Sequence, residues 1–187
     1  MKLEEIDLSD IEFWDRSPED RTAAFETLRS EEPRLLVINK IEHEGIDLAS
    51  LVEQLRETFG PECLPINLPA SKGTRVVDCF FSPAGEADFS SVAEAHQRII
   101  DQVVEINEEV MGKYLEEGEQ GLSGQQLHDA FEQCLREGHL VPICFVSARS
   151  GAGVKELLDL FERLMPSPAE ANPPQFLKGS GPDAQLL

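Results

Sequence analysis

The sequence predicts an α/β protein in which a parallel sheet is interrupted by an inserted α+β subdomain. Two apolar runs, "LLVI" at 35–38 and "LVPICFV" at 140–146, are continuous rather than alternating, as in strands buried on both faces. Each run stops at a polar loop and is followed by an amphipathic helical pattern. The stretch between these two strand–helix units carries turn-linked strands and further helices.

Taken in order, "SPEDRTAAFETLRSEEP" predicts a helix over about 18–30. Ser17 is its N-cap, Pro18 lies in its first turn, Glu19 and Asp20 sit at the positive dipole end, and Pro33 lies beyond its stop. Asp47 opens the helix after the first strand, with Leu48, Leu51, Val52, Leu55 and Phe59 on one face and Gly60-Pro61 as its end. "CLPINLP" and "RVVDCFF" read as two strands joined by the turn "ASKGT". Asp88 and Ser91 are expected to cap one long helix through about Glu117, its stripe formed by Val92, Ala95, Ile99, Val103, Ile106 and Val110. Ser123 with Gln126 resembles a capping box for the helix that ends at Gly138. After the strand at 140–146 and "SARSGAG", "VKELLDLFERL" forms the final helix, and Pro166 stops it. The expected organisation is an N-terminal helical segment of unlike origin at 1–33 and an α/β unit made of 34–60 and 139–165. An insertion subdomain lies at 61–138 and a Pro- and Gly-rich linker or tail at 166–187.

The 187 residues carry 16 Lys and Arg against 36 Asp and Glu, a formal charge of -20. Such a surface repels phosphates and argues against a direct nucleic-acid platform. The 41% hydrophobic content suffices for a core. The four cysteines, Cys63, Cys79, Cys134 and Cys144, stand singly with no C-x-x-C pair, and the four His show no metal-ligand spacing. They are expected to be reduced, buried thiols. No apolar run approaches membrane-spanning length, and the start is acidic, so a soluble, cytoplasmic protein is expected.

The loops that end the two buried strands carry the chemistry. In open α/β sheets, ligands sit beyond the carboxyl ends of the strands. "NKIE" (39–42) follows the first strand and "SARSG" (147–151) follows the last. A purine ring between them would stack on the aliphatic stem of Lys40, with Asn39 tying the loops together. A carboxylate at Glu42 would accept from the ring N–H and amino group that distinguish guanine from adenine. The backbone N–H of Ala148 would meet the guanine carbonyl oxygen. Taken alone, N-K-x-E also describes a polar loop closing a strand.

From about 34 to 178 the chain resembles the second half of the GTPase domain of the translation elongation factor G family, in an elongation-factor-G-like subgroup. "LLVINKI" is similar to that family's guanine-recognition strand and loop. "CFVSARSGAGVKELLDLFERLMPSP" is similar to its last base-contacting loop and final helix. "GPECLPINLPASKGTRVVDCFF" and "EINEEVMGKYLEEGE" are similar to its insertion subdomain. The resemblance implies part of a P-loop-GTPase-type sheet, guanine contacts from Asn39, Lys40, Ser147 and Ala148, and a role in translation elongation. Its ligand would be GTP or GDP with Mg²⁺, and its partners the ribosome or the ribosomal stalk protein. Glu42 stands where the family has Asp, and its extra methylene moves the carboxylate. Arg149 occupies a variable family position and reads equally as a solvated loop residue.

No G-x-x-x-x-G-K-S/T occurs in the sequence; "SGAGVK" at 150–155 lacks both the first glycine and the Ser or Thr after Lys155. The Mg²⁺ ligands of the family are likewise absent, so this chain alone is not expected to hydrolyse GTP. Residues 1–33 resemble instead the N-terminal helix region of bacterial cytochromes P450, on the Phe13-Trp14 pair and the helix after it, although no haem-thiolate loop surrounds any cysteine. Two other readings stand beside nucleotide recognition. One is an acidic protein-interaction module that binds no nucleotide. The other is a fragment with two exposed sheet strands, which the helix at 18–30 would cover with Phe25 and Leu28 inward.

Overall fold

The computed structural model describes residues 34–81 and 83–165, together with a strand pair at 177–178 and 185–186. The helix expected over 18–30 lies outside the described residues. β1 (Leu36–Ile38) leads to α1 (Leu48–Phe59), whose first turn is fixed by the Asp47 carboxylate accepting from Ser50 N at 3.0 Å. Gly60, at φ +119°, closes α1 by donating its N–H to the Arg56 carbonyl. β2 (Cys63–Pro65) follows. β3 (Asn67–Ala70) and β4 (Arg75–Asp78) then form an antiparallel hairpin with Asn67 opposite Asp78.

The main sheet has three parallel strands in the order β1, β5, β2, with β5 (Val141–Phe145) in the centre. Leu36 pairs with Ile143 on one side, and Cys63 with Val141 on the other. "CLPINLP" therefore does not form one hairpin strand. The chain divides at Ile66, whose N–H donates to the Ile143 carbonyl at 2.9 Å. Beyond it, the Asn67 side chain reaches back to β5, its Nδ2 donating to the Phe145 carbonyl at 3.1 Å and its Oδ1 accepting from Phe145 N at 2.7 Å. A side-chain amide thus continues the ladder for one residue while the backbone turns away into the hairpin. The sheet gains a third strand from within the stretch assigned to the insertion, whereas the sequence leads one to expect two.

The long helix expected to reach Glu117 is two helices, α2 (Val92–Val104) and α3 (Glu108–Glu117). Asn107 separates them by capping α3, its Oδ1 accepting from the N–H groups of Glu109 and Val110. Asn competes for backbone donors in this way, which makes it a cap rather than a mid-helix residue. Tyr114 of α3 donates its hydroxyl to Asp101 and accepts from Gln97, so α3 lies back against α2. A 3₁₀ turn (Glu119–Gly121) leads to α4 (Gly124–Arg136), opened by the reciprocal Ser123–Gln126 capping box. α5 (Val154–Arg163) follows β5, and β6 (Leu177–Lys178) pairs antiparallel with β7 (Gln185–Leu186) inside the stretch expected to be a tail.

The core joins both parts of the fold: Ile143 and Phe145 of β5, Leu68 of β3, Ile99 and Val103 of α2, and Phe131 of α4 are all buried. The four cysteines are free and buried. Burial is the first cause that pushes the Cys63 thiol up to about 11 and those of Cys79, Cys134 and Cys144 to about 12, so all four act as small apolar side chains. No helix among the described residues is long and apolar enough to cross a membrane.

Candidate functional site

β1 and β5 run side by side, so the loops that leave their carboxyl ends emerge together. Ile38 pairs with Phe145, Val146 N donates to the Ile38 carbonyl at 2.8 Å, and Ile41 N donates to the Val146 carbonyl at 3.3 Å. Asn39 ties the loops across this junction: its Oδ1 accepts from Lys40 N at 2.8 Å and from Ala148 N at 3.0 Å. Lys40 takes a left-handed conformation, φ +65°, and the 40–43 turn closes with His43 N on the Lys40 carbonyl. Asn39, Lys40, Ala148 and Arg149 are exposed, whereas Ser147 is fully buried.

The Ala148 N–H, which the sequence assigns to a guanine carbonyl, is here the donor to Asn39. Ser147 is more central than its sequence role implies. Its N–H donates to the Ala152 carbonyl, its Oγ accepts from Ser150 N at 3.1 Å, and its hydroxyl lies beside the Glu42 carboxylate. That hydroxyl is the first cause holding the Glu42 carboxyl below its ordinary pKa of 4.5. The Glu42 backbone and the charges of Arg149 and His43 act in the same direction, and burial opposes them. A depressed folded-state pKa contributes stability that is fully present above the ordinary value and lost as pH falls through the depressed one. The longer Glu side chain thus leans across to the second loop.

A second support comes from the hairpin. Ser71, Lys72 and Gly73 have successive left-handed φ values of 55°, 60° and 70°, and the Lys72 and Gly73 N–H groups donate to the two Asp88 oxygens at 2.9 and 2.8 Å. Asp88 therefore latches the turn, while Ser91 alone caps α2. The latched turn presses on the base of the first loop, where a Cβ on Gly73 would lie 2.1 Å from the Ile41 carbonyl oxygen. Sequence reasoning does not single out Gly73 and Asp88 as site residues. The polar turn "SKGT" is visible there, but its acidic partner lies 15 residues on. Replacing Asp88 with Ala is expected to lower stability by about 1–2 kcal/mol, because two N–H groups lose a charged acceptor; the shift in urea midpoint measures it. "SGAGVK" is a turn into α5: Gly153, at φ +73°, precedes Val154, and a Cβ there would lie 2.2 Å from the Phe145 carbonyl oxygen.

No protein-family model matches the chain. Among solved structures, the chain is similar to the crystal structure of ttk003000868 from Thermus thermophilus. The identity is 32% and the TM-score 0.64, over 81% of this chain and 24% of that one. The two share a fold over the matched region. The chain spans about a quarter of that protein's length, so the likeness concerns one part of a larger molecule.

Proposed function

We propose that this chain is the base-reading part of an elongation-factor-G-like translational GTPase, binding the guanine end of GTP or GDP. The observation that carries the reading is the meeting of the two loops, where Asn39 Oδ1 accepts from Ala148 N at 3.0 Å and the Glu42 carboxylate lies beside the Ser147 hydroxyl. An ionised carboxylate has two oxygens and accepts from several donors at once, so the Ser147 contact leaves capacity for the donors of a ligand. The ring N–H and amino group of guanine are such donors. Asn39 holds the two loops in register, Ser147 orients Glu42, and the stem of Lys40 offers an apolar surface for the ring. The sequence supplies no residues that fit the phosphates or Mg²⁺ of that family, so no hydrolytic step is assigned to it.

Calorimetric titration with GDP, and with ADP as control, tests the reading. Heat with GDP alone is expected, and E42Q should weaken GDP binding about tenfold or more, since its amide sets a donor against guanine donors. Absence of GDP binding in a demonstrably folded sample would end this reading. The translation factor role and a ribosomal partner belong to the same proposal and rest on the motif likeness.

The acidic interaction module is the weaker reading. Most apolar side chains of α2 and α3 turn inward, and Leu115, 75% exposed, is followed in sequence by Glu116 and Glu117.

A further inference from the structure

We infer, on the base-reading role proposed above, that Asp88 and Gly73 are positioning residues for Glu42, so that the β3–β4 turn and the first loop are energetically coupled. The contact between them is backbone on backbone. Gly73 is buried against the 41–42 peptide, where a Cβ on it would lie 2.1 Å from the Ile41 carbonyl oxygen and 3.0 Å from Glu42 N. The same peptide is tied to the end of β5, since Ile41 N donates to the Val146 carbonyl at 3.3 Å. The place of the Glu42 backbone thus has two determinants, and only one of them belongs to the parallel sheet. Glu42, Lys72, Gly73 and Asp88 accordingly line one groove.

The turn does not adopt this shape cheaply. Ser71 and Lys72 stand at φ 55° and 60°, a region that L side chains enter at a cost, and Gly73 follows at 70°. Within the turn, the Thr74 hydroxyl donates to the Ser71 carbonyl at 2.8 Å. The hold on the rest of the molecule comes from one carboxylate. Asp88 accepts from Lys72 N at 2.9 Å and from Gly73 N at 2.8 Å through different oxygens, while its own N–H donates to the Pro69 carbonyl at 2.8 Å. Hydrogen bonds to an ionised acceptor are stronger than neutral ones, which suits them to holding a strained backbone. The next residue, Phe89, stands edge-on to Phe145 of β5 at 5.7 Å, so the Asp88 segment is itself anchored to the sheet.

Among the described residues, four non-glycine positions have a left-handed backbone: Lys40, Ser71, Lys72 and Ser90. One lies on the base-reading loop, two in the turn and one beside Asp88. Strain of this kind persists only where the surroundings over-determine it, and here it is gathered along a single connection. Such a turn has two arrangements, latched and open, and the Gly73 contact places Glu42 for a base only in the first. A ligand that prefers the latched state shifts the turn toward it by its differential affinity. Linkage makes the effect reciprocal: GDP at the loop tightens the turn, and a loosened turn weakens GDP. The turn registers a filled base site through Gly73 and Asp88, without itself touching the base.

Amide-resolved hydrogen exchange on the full-length chain, with and without GDP, tests the coupling. In the wild type, saturating GDP is expected to slow the Lys72 and Gly73 amides about tenfold. The Glu109 amide, held by the Asn107 side chain at 2.9 Å, is the control and should not change. A merely structural Asp88 would give no such slowing. Without nucleotide, D88N is expected to speed exchange at Ile41 and His43 together with Lys72 and Gly73, with β5 protection retained. Calorimetry should show the same variant binding GDP about fivefold or more weakly, and D88E, which restores the charge, recovering part of the affinity. Should D88N lose β5 protection and so fail to fold, the wild-type comparison decides alone. GDP heat in the wild type without slower exchange at Lys72 and Gly73 would overturn the coupling and leave the base-reading proposal standing. No GDP heat in a folded wild type would overturn the base-reading proposal, and the coupling with it.

Discussion

Replacing Asn67 with Ala is expected to lower stability by about 2–4 kcal/mol, read as a shift in urea midpoint at unchanged slope. Asn67 is 2% exposed, and its amide is the partner of both the Phe145 N–H and the Phe145 carbonyl. Truncation leaves a donor and an acceptor of the central strand buried without partners, which is more damaging than loss of the bonds themselves. Asn67→Asp separates the two contacts. The carboxylate still accepts from Phe145 N but faces the carbonyl with an oxygen, so it too should destabilise. A change below about 0.5 kcal/mol in the Ala variant would mean that the amide does not continue the sheet in solution.

Gly153→Ala is expected to be of similar size, about 2–4 kcal/mol, by a different route. At φ +73° an L-residue carries the left-handed penalty, roughly 1–2 kcal/mol. Its methyl would in addition lie 2.2 Å from the Phe145 carbonyl oxygen and 3.2 Å from the Val146 Cα, both backbone atoms with nowhere to rotate. The displacement falls on residues 145–148, so the Asn39–Ala148 bond should loosen along with global stability. Faster hydrogen exchange at the Ala148 amide would report it. Gly151, also at positive φ, has open space where its Cβ would stand, and G151A is the internal control for strain without collision.

The parts of the fold legible in the sequence are those fixed by local chemistry. The Asp47 cap, the Gly60 stop, the Ser123–Gln126 box and the buried run of β5 all depend on residues within a few positions of one another, whereas the first apolar run forms β1 as an edge strand among the described residues, with Val37 46% exposed rather than buried on both faces. The α/β class follows from them. What the sequence obscures is decided by distant partners or by competition. "CLPINLP" looks like one strand, because nothing local tells that Asn67 will answer Phe145, 78 positions away. The apolar stripe runs on through Ile106 and Val110 as if in a single helix; the capping preference of Asn107 breaks it instead. At the candidate site, the meeting of the two loops and the bridging place of Asn39 follow from strand order. The lean of Glu42 toward Ser147 and the use of Ala148 N by Asn39 do not, since both depend on side-chain reach after the strands are paired. Asp88 reads as a helix cap because Ser90 and Ser91 follow it, and its tie to the hairpin turn is tertiary.

The central position of β5 has a consequence for the order of synthesis. β1 and β2 are made early but are not neighbours; each pairs only with β5, which emerges after residues 66–140 have been translated. No part of the parallel sheet can close before then, and loop-closure entropy makes such remote pairings slow. The β3–β4 hairpin and the α2–α4 helices, whose contacts are nearer in sequence, can gather first. The nascent chain must therefore carry two unpaired apolar strands for much of its elongation, and delay or chaperone capture at that stage would be felt by β1 and β2 alike.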